Sequence, residues 1–61
     1  MILYMIMEIE KHTFSKEVYP VCRVLLDRIA NIQTAEAERD IYLEDHPGVS
    51  PDNVQVIQYR E

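Results

Sequence analysis

Four side chains in the sequence have the chemistry to bind a metal ion. They are His12, Cys22, Asp45 and His46. No two of them have a recognised ligand spacing, and adjacent residues such as Asp45 and His46 point in different directions on a helix. A zinc site needs four converging ligands. We therefore expect neither a metal site nor a bound cofactor.

Cys22 is the strongest nucleophile in the chain, but nothing in the sequence activates it. A reactive thiolate needs an adjacent base or an electropositive setting, and no local motif brings His12 or His46 to it. We expect Cys22 to be a small apolar residue on a buried helix face. A single glycine excludes the usual phosphate-binding loops. A chain of 61 residues has little room for a cleft with paired catalytic carboxylates. The sequence predicts that the protein is not an enzyme.

The charge of the chain is acidic and is concentrated in one segment. Eleven acidic and six basic residues give a net charge of −5, which argues against nucleic acid as the main partner. Five of the carboxylates lie within residues 34–46. Three of them, Glu36, Asp40 and Glu44, are four residues apart and would form a stripe along one helix face. Such a stripe is either a solvated face that keeps a small protein in solution or a surface for a protein with basic groups.

Tyr42 lies in the same acidic segment, where an exposed tyrosine would be a plausible anchor in a protein interface. The alternative is a half-buried tyrosine that covers the edge of the core. The predicted partner-binding residues are Glu36, Arg39, Asp40, Tyr42, Glu44 and Asp45.

The elements that must position these residues begin with a predicted strand over residues 2–10. Apolar and mixed positions alternate there, so that one face is wholly apolar. That face comprises Leu3, Met5, Met7 and Ile9. A helix is the alternative, because Met, Leu and Glu favour helices.

A helix is predicted over residues 16–45. Apolar residues recur there at three- and four-residue steps, at Val18, Cys22, Leu25, Ile29 and Ile32. Pro20 would distort the first turn or mark a later start. The helix either breaks at residues 31–34, with Thr34 as a new cap, or continues as one long helix. We favour the long helix because no residue in 31–34 breaks one.

Residues 46–53 predict a turn, because His46-Pro47-Gly48 ends a helix. Residues 54–59 favour a strand over a short helix, since Val54, Val56 and Ile57 are β-branched. The predicted fold is a single α+β domain over residues 1–61, a β-α-β-like chain dominated by one long amphipathic helix. The alternative is an all-α helical hairpin dimer. The predicted core or dimer residues are Leu3, Met5, Met7, Ile9, Val18, Cys22, Leu25, Ile29 and Ile32.

The small size of the chain predicts a homodimer. A domain this short buries little surface, and one cysteine excludes an internal disulfide. Two strands from each of two chains would complete a four-stranded sheet, whereas two strands alone are marginal.

The apolar start, residues 1–7, carries no basic residue and no cleavage site, so it is not expected to be a secretory signal. It is also too short to span a bilayer. The lone cysteine fits the reducing cytoplasm. Very short, acidic, glycine-poor chains of this kind resemble the accessory open reading frames of bacteriophages and mobile elements.

The predicted function is therefore that of a small cytoplasmic protein-interaction module. It would bind another protein stoichiometrically, as an accessory or inhibitor protein would. The alternative is a small dimeric nucleic-acid-binding regulator that uses a helix over residues 16–33. A purely structural subunit of a larger assembly is a third hypothesis.

Overall fold

A computed structural model describes all residues from 1 to 61. The elements in chain order are β1 (Ile2–Phe14), β2 (Glu17–Ile29), α1 (Ile32–Asp45), a 3₁₀ turn (Pro51–Asn53) and β3 (Val54–Arg60). The strands form one antiparallel sheet in the order β2-β1-β3. α1 packs on one face of this sheet. This helix is too short and too polar to cross a lipid bilayer.

The prediction of a helix-dominated fold is wrong, and so is the all-α alternative. More than half of the residues lie in strands, and the segment predicted as the first half of a long helix is β2. Val18, Val21 and Val24 are β-branched and suit a pleated sheet. Pro20 is tolerated on an edge strand, whereas inside a helix it removes a hydrogen bond.

Two irregularities in the pairing of β2 with β1 explain why the spacing of apolar residues imitated a helix. The register is regular up to Met7↔Val24, shifts before Ile6↔Leu26 and shifts again towards Ile29. Each extra residue in β2 moves the following side chains to the other face of the sheet. The apolar residues of β2 therefore do not alternate strictly, and three- and four-residue steps result.

The turn between β1 and β2 carries no familiar hairpin signal. Ser15 and Lys16 form it with φ angles of 50° and 70°. Two-residue hairpin turns with two positive φ values match the twist of the strands, but Asn-Gly is the usual sequence. Residues 11–14 also lie in β1, which therefore extends beyond the strand predicted over residues 2–10. The pairing of β3 with β1 ends at Glu8, so the distal part of the hairpin is a two-stranded arm.

α1 is a separate element that begins at Ile32, shortly after the end of β2 at Ile29. The side-chain oxygen of Asn31 accepts a hydrogen bond of 2.8 Å from the backbone N–H of Thr34. This is a standard N-cap contact. The favoured single long helix does not form, and the cap is Asn31 rather than Thr34. α1 ends at Asp45, immediately before His46. Residues 54–59, for which a strand was favoured, lie in β3.

The buried interior of the chain is small. The buried residues are Leu3, Ile6, Glu8, Ala35 and Val54. Side chains alternate between the two faces of a strand, so Ile6 and Glu8 share the face covered by α1. Ala35 is the fully buried residue of the helix.

Leu3 points to the opposite face, where Tyr59 covers it. The two residues are paired across β1 and β3. The hydroxyl of Tyr59 donates to the carboxylate of Asp27 on β2. The tyrosine therefore spans the central strand at Leu3, which explains why this leucine is buried.

Of the nine residues predicted as core or dimer contacts, eight lie on β1 and β2, and Ile32 is the first residue of α1. Leu3 is buried. Met5, Met7, Ile9, Leu25 and Ile29 are half-buried, whereas Val18, Cys22 and Ile32 are exposed. Val18, Cys22, Leu25 and Ile29 were predicted on one helix face, but they lie on β2. Cys22 instead lies beside Ile9 in the same sheet.

Candidate functional site

The acidic helix surface is the part of the molecule where the predicted binding residues remain exposed. We define it as Glu36, Asp40, Glu44 and Asp45, all of which are exposed on α1. Asp40 has one basic neighbour, Arg39, whose Nη1 lies 3.8 Å from a carboxylate oxygen. The side chain of Asp40 is 75% exposed, so this contact contributes little to stability. The negative charge of this surface is therefore exposed to solvent.

Arg39 turns towards the sheet, unlike its acidic neighbours. Its Nε donates to the carbonyl of Val54 at 2.8 Å, and its Nη2 donates to the carbonyl of Pro51 at 2.7 Å. These contacts tie α1 to the segment that leads into β3. Arg39 was predicted to bind a partner, but the structure gives its guanidinium an internal role.

Tyr42 also points inward, at a buried carboxylate on the central strand. Its hydroxyl donates to Glu8 at 2.6 Å. Nη2 of Arg23, on β2, donates to the same carboxylate at 2.9 Å and lies 3.4 Å from the hydroxyl. The three groups join one strand pair to the helix. The ring of His46 stacks on Tyr42 with centroids 4.1 Å apart.

The pKa values of this cluster follow its hydrogen bonds. The hydroxyl of Tyr42 holds the pKa of Glu8 below its ordinary value, and Arg23 acts in the same direction against the effect of burial. The same hydrogen bond to Glu8 raises the pKa of Tyr42. The Glu8 carboxylate raises the pKa of Arg23 as well. The cluster is thus a charged carboxylate with two donors, an arrangement that satisfies a buried acid rather than activating one.

An apolar groove of about 240 Å³ separates α1 from β2. The lining residues are Ile6, Leu25, Leu26, Glu38, Ile41, Tyr42 and Asp45. Leu26 and Ile41 remain 44% and 50% exposed. Glu38 and Asp45 give the groove an acidic rim. An apolar centre within a polar rim is the usual composition of a protein-binding surface.

A second groove, of about 500 Å³, lies on the β3 side of the helix. Glu36, Arg39 and Asp40 line it together with Val54, Gln55 and Val56. The predicted binding residues thus divide between the two sides of α1. Tyr42 and Asp45 belong to the apolar groove, and Glu44 lines neither groove.

Cys22 and the two histidines lie in separate places. Cys22 is exposed and pairs with Ile9 on the face away from α1. His12 pairs with Tyr19 on the other face and stacks on its ring. His46 lies at the end of α1. No group of three His, Cys, Asp or Glu side chains converges to hold a metal ion.

Two arginines in the segment of the predicted nucleic-acid-binding helix form ion pairs within the chain. Residues 17–29 form β2, so the helix required by that hypothesis is absent. Arg23 pairs with Glu8, and Arg28 pairs with Glu61 at 2.8 Å. This arrangement offers no basic helix to a DNA groove.

The local sequence pattern did not predict Glu8, Arg23 or the apolar groove as parts of a site. Glu8 interrupts an apolar strand face that begins with Ile6, and Arg23 stands alone among the apolar residues of β2. Single opposite charges in two apolar segments are a signal of a buried pair, because an unpaired buried charge is costly. The groove could not be found in this way, since it depends on the bulged register of Leu25 and Leu26.

No protein-family model, no curated protein and no solved structure matches the chain. The molecule is defined by its own geometry, as a three-stranded antiparallel sheet with one acidic helix on one face.

Proposed function

We propose that this chain is a small acidic protein-interaction module that acts by stoichiometric binding to another protein. Its binding surface extends across the exposed side of α1, from Glu36 and Asp40 on the β3 side to the apolar groove on the β2 side. The partner surface presents an apolar side chain flanked by basic groups.

The groove beside Ile41 is the observation that carries the proposal. Leu26 and Ile41 leave about half of their surface in water at a place where Glu38 and Asp45 form a rim. Burial of these exposed apolar side chains would be the main source of affinity. The carboxylates would supply orientation and a faster association rate.

The proposed mode of action is occlusion or modulation of the partner, without turnover. The resemblance in size and charge to accessory proteins of bacteriophages and mobile elements supports a host protein as the target. The proposed compartment is the cytoplasm, where an exposed thiol such as Cys22 stays reduced.

The test uses the immobilised chain in a lysate of its source cells. We expect one protein to be retained at one copy per chain. The triple variant Glu36→Lys, Asp40→Lys, Glu44→Lys should lose it, because the charge that attracts basic groups is reversed. Ile41→Ser should also lose it, because the apolar centre of the groove is removed.

The matched control reverses three carboxylates outside α1, namely Glu10→Lys, Glu17→Lys and Asp52→Lys. It changes the net charge equally and should retain the partner. Far-ultraviolet circular dichroism checks that every variant is folded. The proposal is contradicted if nothing is retained stoichiometrically, or if the helix variant and the control retain the same protein with the same dissociation constant.

A further inference from the structure

The face of the sheet away from α1 is largely apolar, apart from Gln55 opposite Met7, and no helix packs on it. We define the open face by six residues, Met5, Met7, Ile9, Cys22, Val24 and Ile57. Their register places them side by side on three adjacent strands. Val24 is 51% exposed, and Cys22 is exposed as well. None of the six is an acidic or basic residue, so exposure of this surface to water is unfavourable.

The surface area of the chain is larger than its mass requires. The accessible surface is 4710 Å² for a mass of 7.2 kDa. A compact monomer of that mass exposes about 4,100 Å². The excess is about 600 Å² per chain, or about 1,200 Å² for two copies, which reaches the lower limit of stable protein interfaces.

The two ends of the open face carry opposite charges. Lys11 pairs with Pro20 at the end nearer the hairpin tip. Asp27 accepts the hydroxyl of Tyr59 at the other end. A second copy related by a two-fold axis perpendicular to the strands would place Lys11 of each chain towards Asp27 of the other. The apolar residues of the two open faces would then meet at the centre of the contact, with Lys11 of each chain near Asp27 of the other.

We propose that the open face binds the open face of a second copy, so that two sheets stack into a sandwich with a helix on each outer side. Two apolar sheet faces pack in this way about 10 Å apart. The dimer leaves the acidic helix surface of each chain exposed on opposite sides. The inference does not depend on the proposed function, because the two surfaces lie on opposite faces of the sheet.

Pro20 argues against an alternative dimer that pairs β2 edge to edge. Pro20 lies opposite Lys11 within the β1–β2 pairing. A proline has no N–H, and in strands it occurs on free edges, where it removes a donor that an added strand would need. Stacking of faces requires no such donor. The four-stranded dimer sheet expected from the sequence therefore gives way to a sandwich of two three-stranded sheets.

The test compares two variants with equally exposed apolar positions. Val24 is 51% exposed on the open face, and Ile41 is 50% exposed on the helix side. Light scattering after size exclusion should give the wild-type chain twice 7.2 kDa. Val24→Lys should give the monomer mass, since a lysine would be buried between the sheets. Ile41→Lys should keep the dimer mass.

A second measurement applies if Val24→Lys fails to fold. For a dimer whose dissociation is coupled to unfolding, the urea midpoint of the wild-type chain rises with protein concentration. We expect a rise of about 1–2 M over a hundredfold range of concentration. The proposal is overturned by a wild-type monomer with a constant midpoint. It is also overturned if Val24→Lys remains a dimer, or if Ile41→Lys dissociates to the same extent.

Discussion

The hydroxyl of Tyr42 donates a hydrogen bond of 2.6 Å to the carboxylate of Glu8, which joins the helix to the central strand. Glu8 is the buried charged residue of the chain, 6% exposed among apolar neighbours. With Arg23 as its second donor, the carboxylate is satisfied by one group from the helix and one from β2. The contact therefore fixes where α1 lies on the sheet, and with it the groove beside Ile41.

Tyr42→Phe should destabilise the protein, because it removes one of the two donors to Glu8 and leaves the aromatic ring in place. Buried acceptors that lose a partner retain their desolvation cost. The matched control is Tyr4→Phe, since the hydroxyl of Tyr4 makes no hydrogen bond within the chain. Urea denaturation should show a lower midpoint for Tyr42→Phe and almost no change for the control. Equal midpoints would show that the hydroxyl is not needed.

The stability of the protein should fall in acid because of Glu8. Its pKa lies below the ordinary value of 4.5, chiefly through the hydrogen bond from Tyr42. A carboxyl whose pKa is lower in the folded state stabilises the fold fully above the unfolded value and loses that contribution as the pH falls through the folded value. The wild-type urea midpoint should therefore decrease from about pH 6 to about pH 3.

Glu8→Gln removes the titrating group and is the test of this assignment. Its midpoint should be lower than that of the wild type at neutral pH and should depend less on pH. Asp27, whose pKa is lowered by the hydroxyl of Tyr59 and the N–H of Arg28, contributes equally to both proteins. A pH dependence that is unchanged in the variant would assign the acid sensitivity to other carboxyls.

Asn31→Ala should weaken the start of α1. The side chain of Asn31 accepts from Thr34, and loss of such a cap costs about 1 kcal/mol. Asn53→Ala is the control, because the side chain of Asn53 makes no hydrogen bond within the chain. The free energy of unfolding from urea titration should fall for the first variant only. A comparable loss in both would mean that the cap contributes nothing specific.

Ile6→Val should be costly for so conservative a change. Ile6 is 1% exposed and lies between the central strand and the helix, and removal of a buried methylene costs about 1 kcal/mol. The same substitution at Ile41, which is 50% exposed, should cost less than about 0.5 kcal/mol. Chemical denaturation of both variants measures the difference, and equal losses would contradict the small core described above.

Local sequence patterns predicted some elements well and others poorly. The alternation of residues 2–10 indicated a strand, and the polar, glycine-free run that follows Thr34 indicated a helix. Both elements are determined by residues close to one another in sequence, so a short segment is enough to predict them. The same is true of the end of the helix at His46-Pro47-Gly48.

The predicted fold class was wrong because β2 was predicted as a helix. A short segment of sequence does not contain the information needed to avoid this error. The bulges near Leu25 and Arg28 disturb the two-residue period, and they exist because of pairing with β1. The turn at Ser15 and Lys16 lacks the glycine that normally indicates a hairpin. The half-buried position of Tyr42 was one of the two alternatives that the sequence left open, but its acceptor Glu8 lies 34 residues away and no local pattern indicates the contact.

The spacing of its residues was enough to predict the acidic stripe. The apolar groove beside it could be found only from the structure. Glu36, Asp40 and Glu44 share one helix face because they are four residues apart, and all three are exposed on α1. The groove between Ile41 and Leu26 exists only because α1 covers β1 and leaves β2 partly open. In a face-to-face dimer the two grooves, one on each chain, would point outward, so that one dimer would bind two copies of a partner.

Contacts between the open faces of two chains can be observed directly through the methionine methyl groups. Met5 and Met7 lie on the open face, whereas α1 lies on the other side. A sample that mixes chains carrying ¹³C-labelled methionine methyls with unlabelled chains reports only contacts between chains in an isotope-filtered NOE spectrum. We predict intermolecular NOEs from the methyls of Met5 and Met7 to Val24 and Ile57. A folded sample with no such NOEs, or with intermolecular NOEs to Ile41 instead, would contradict the sandwich.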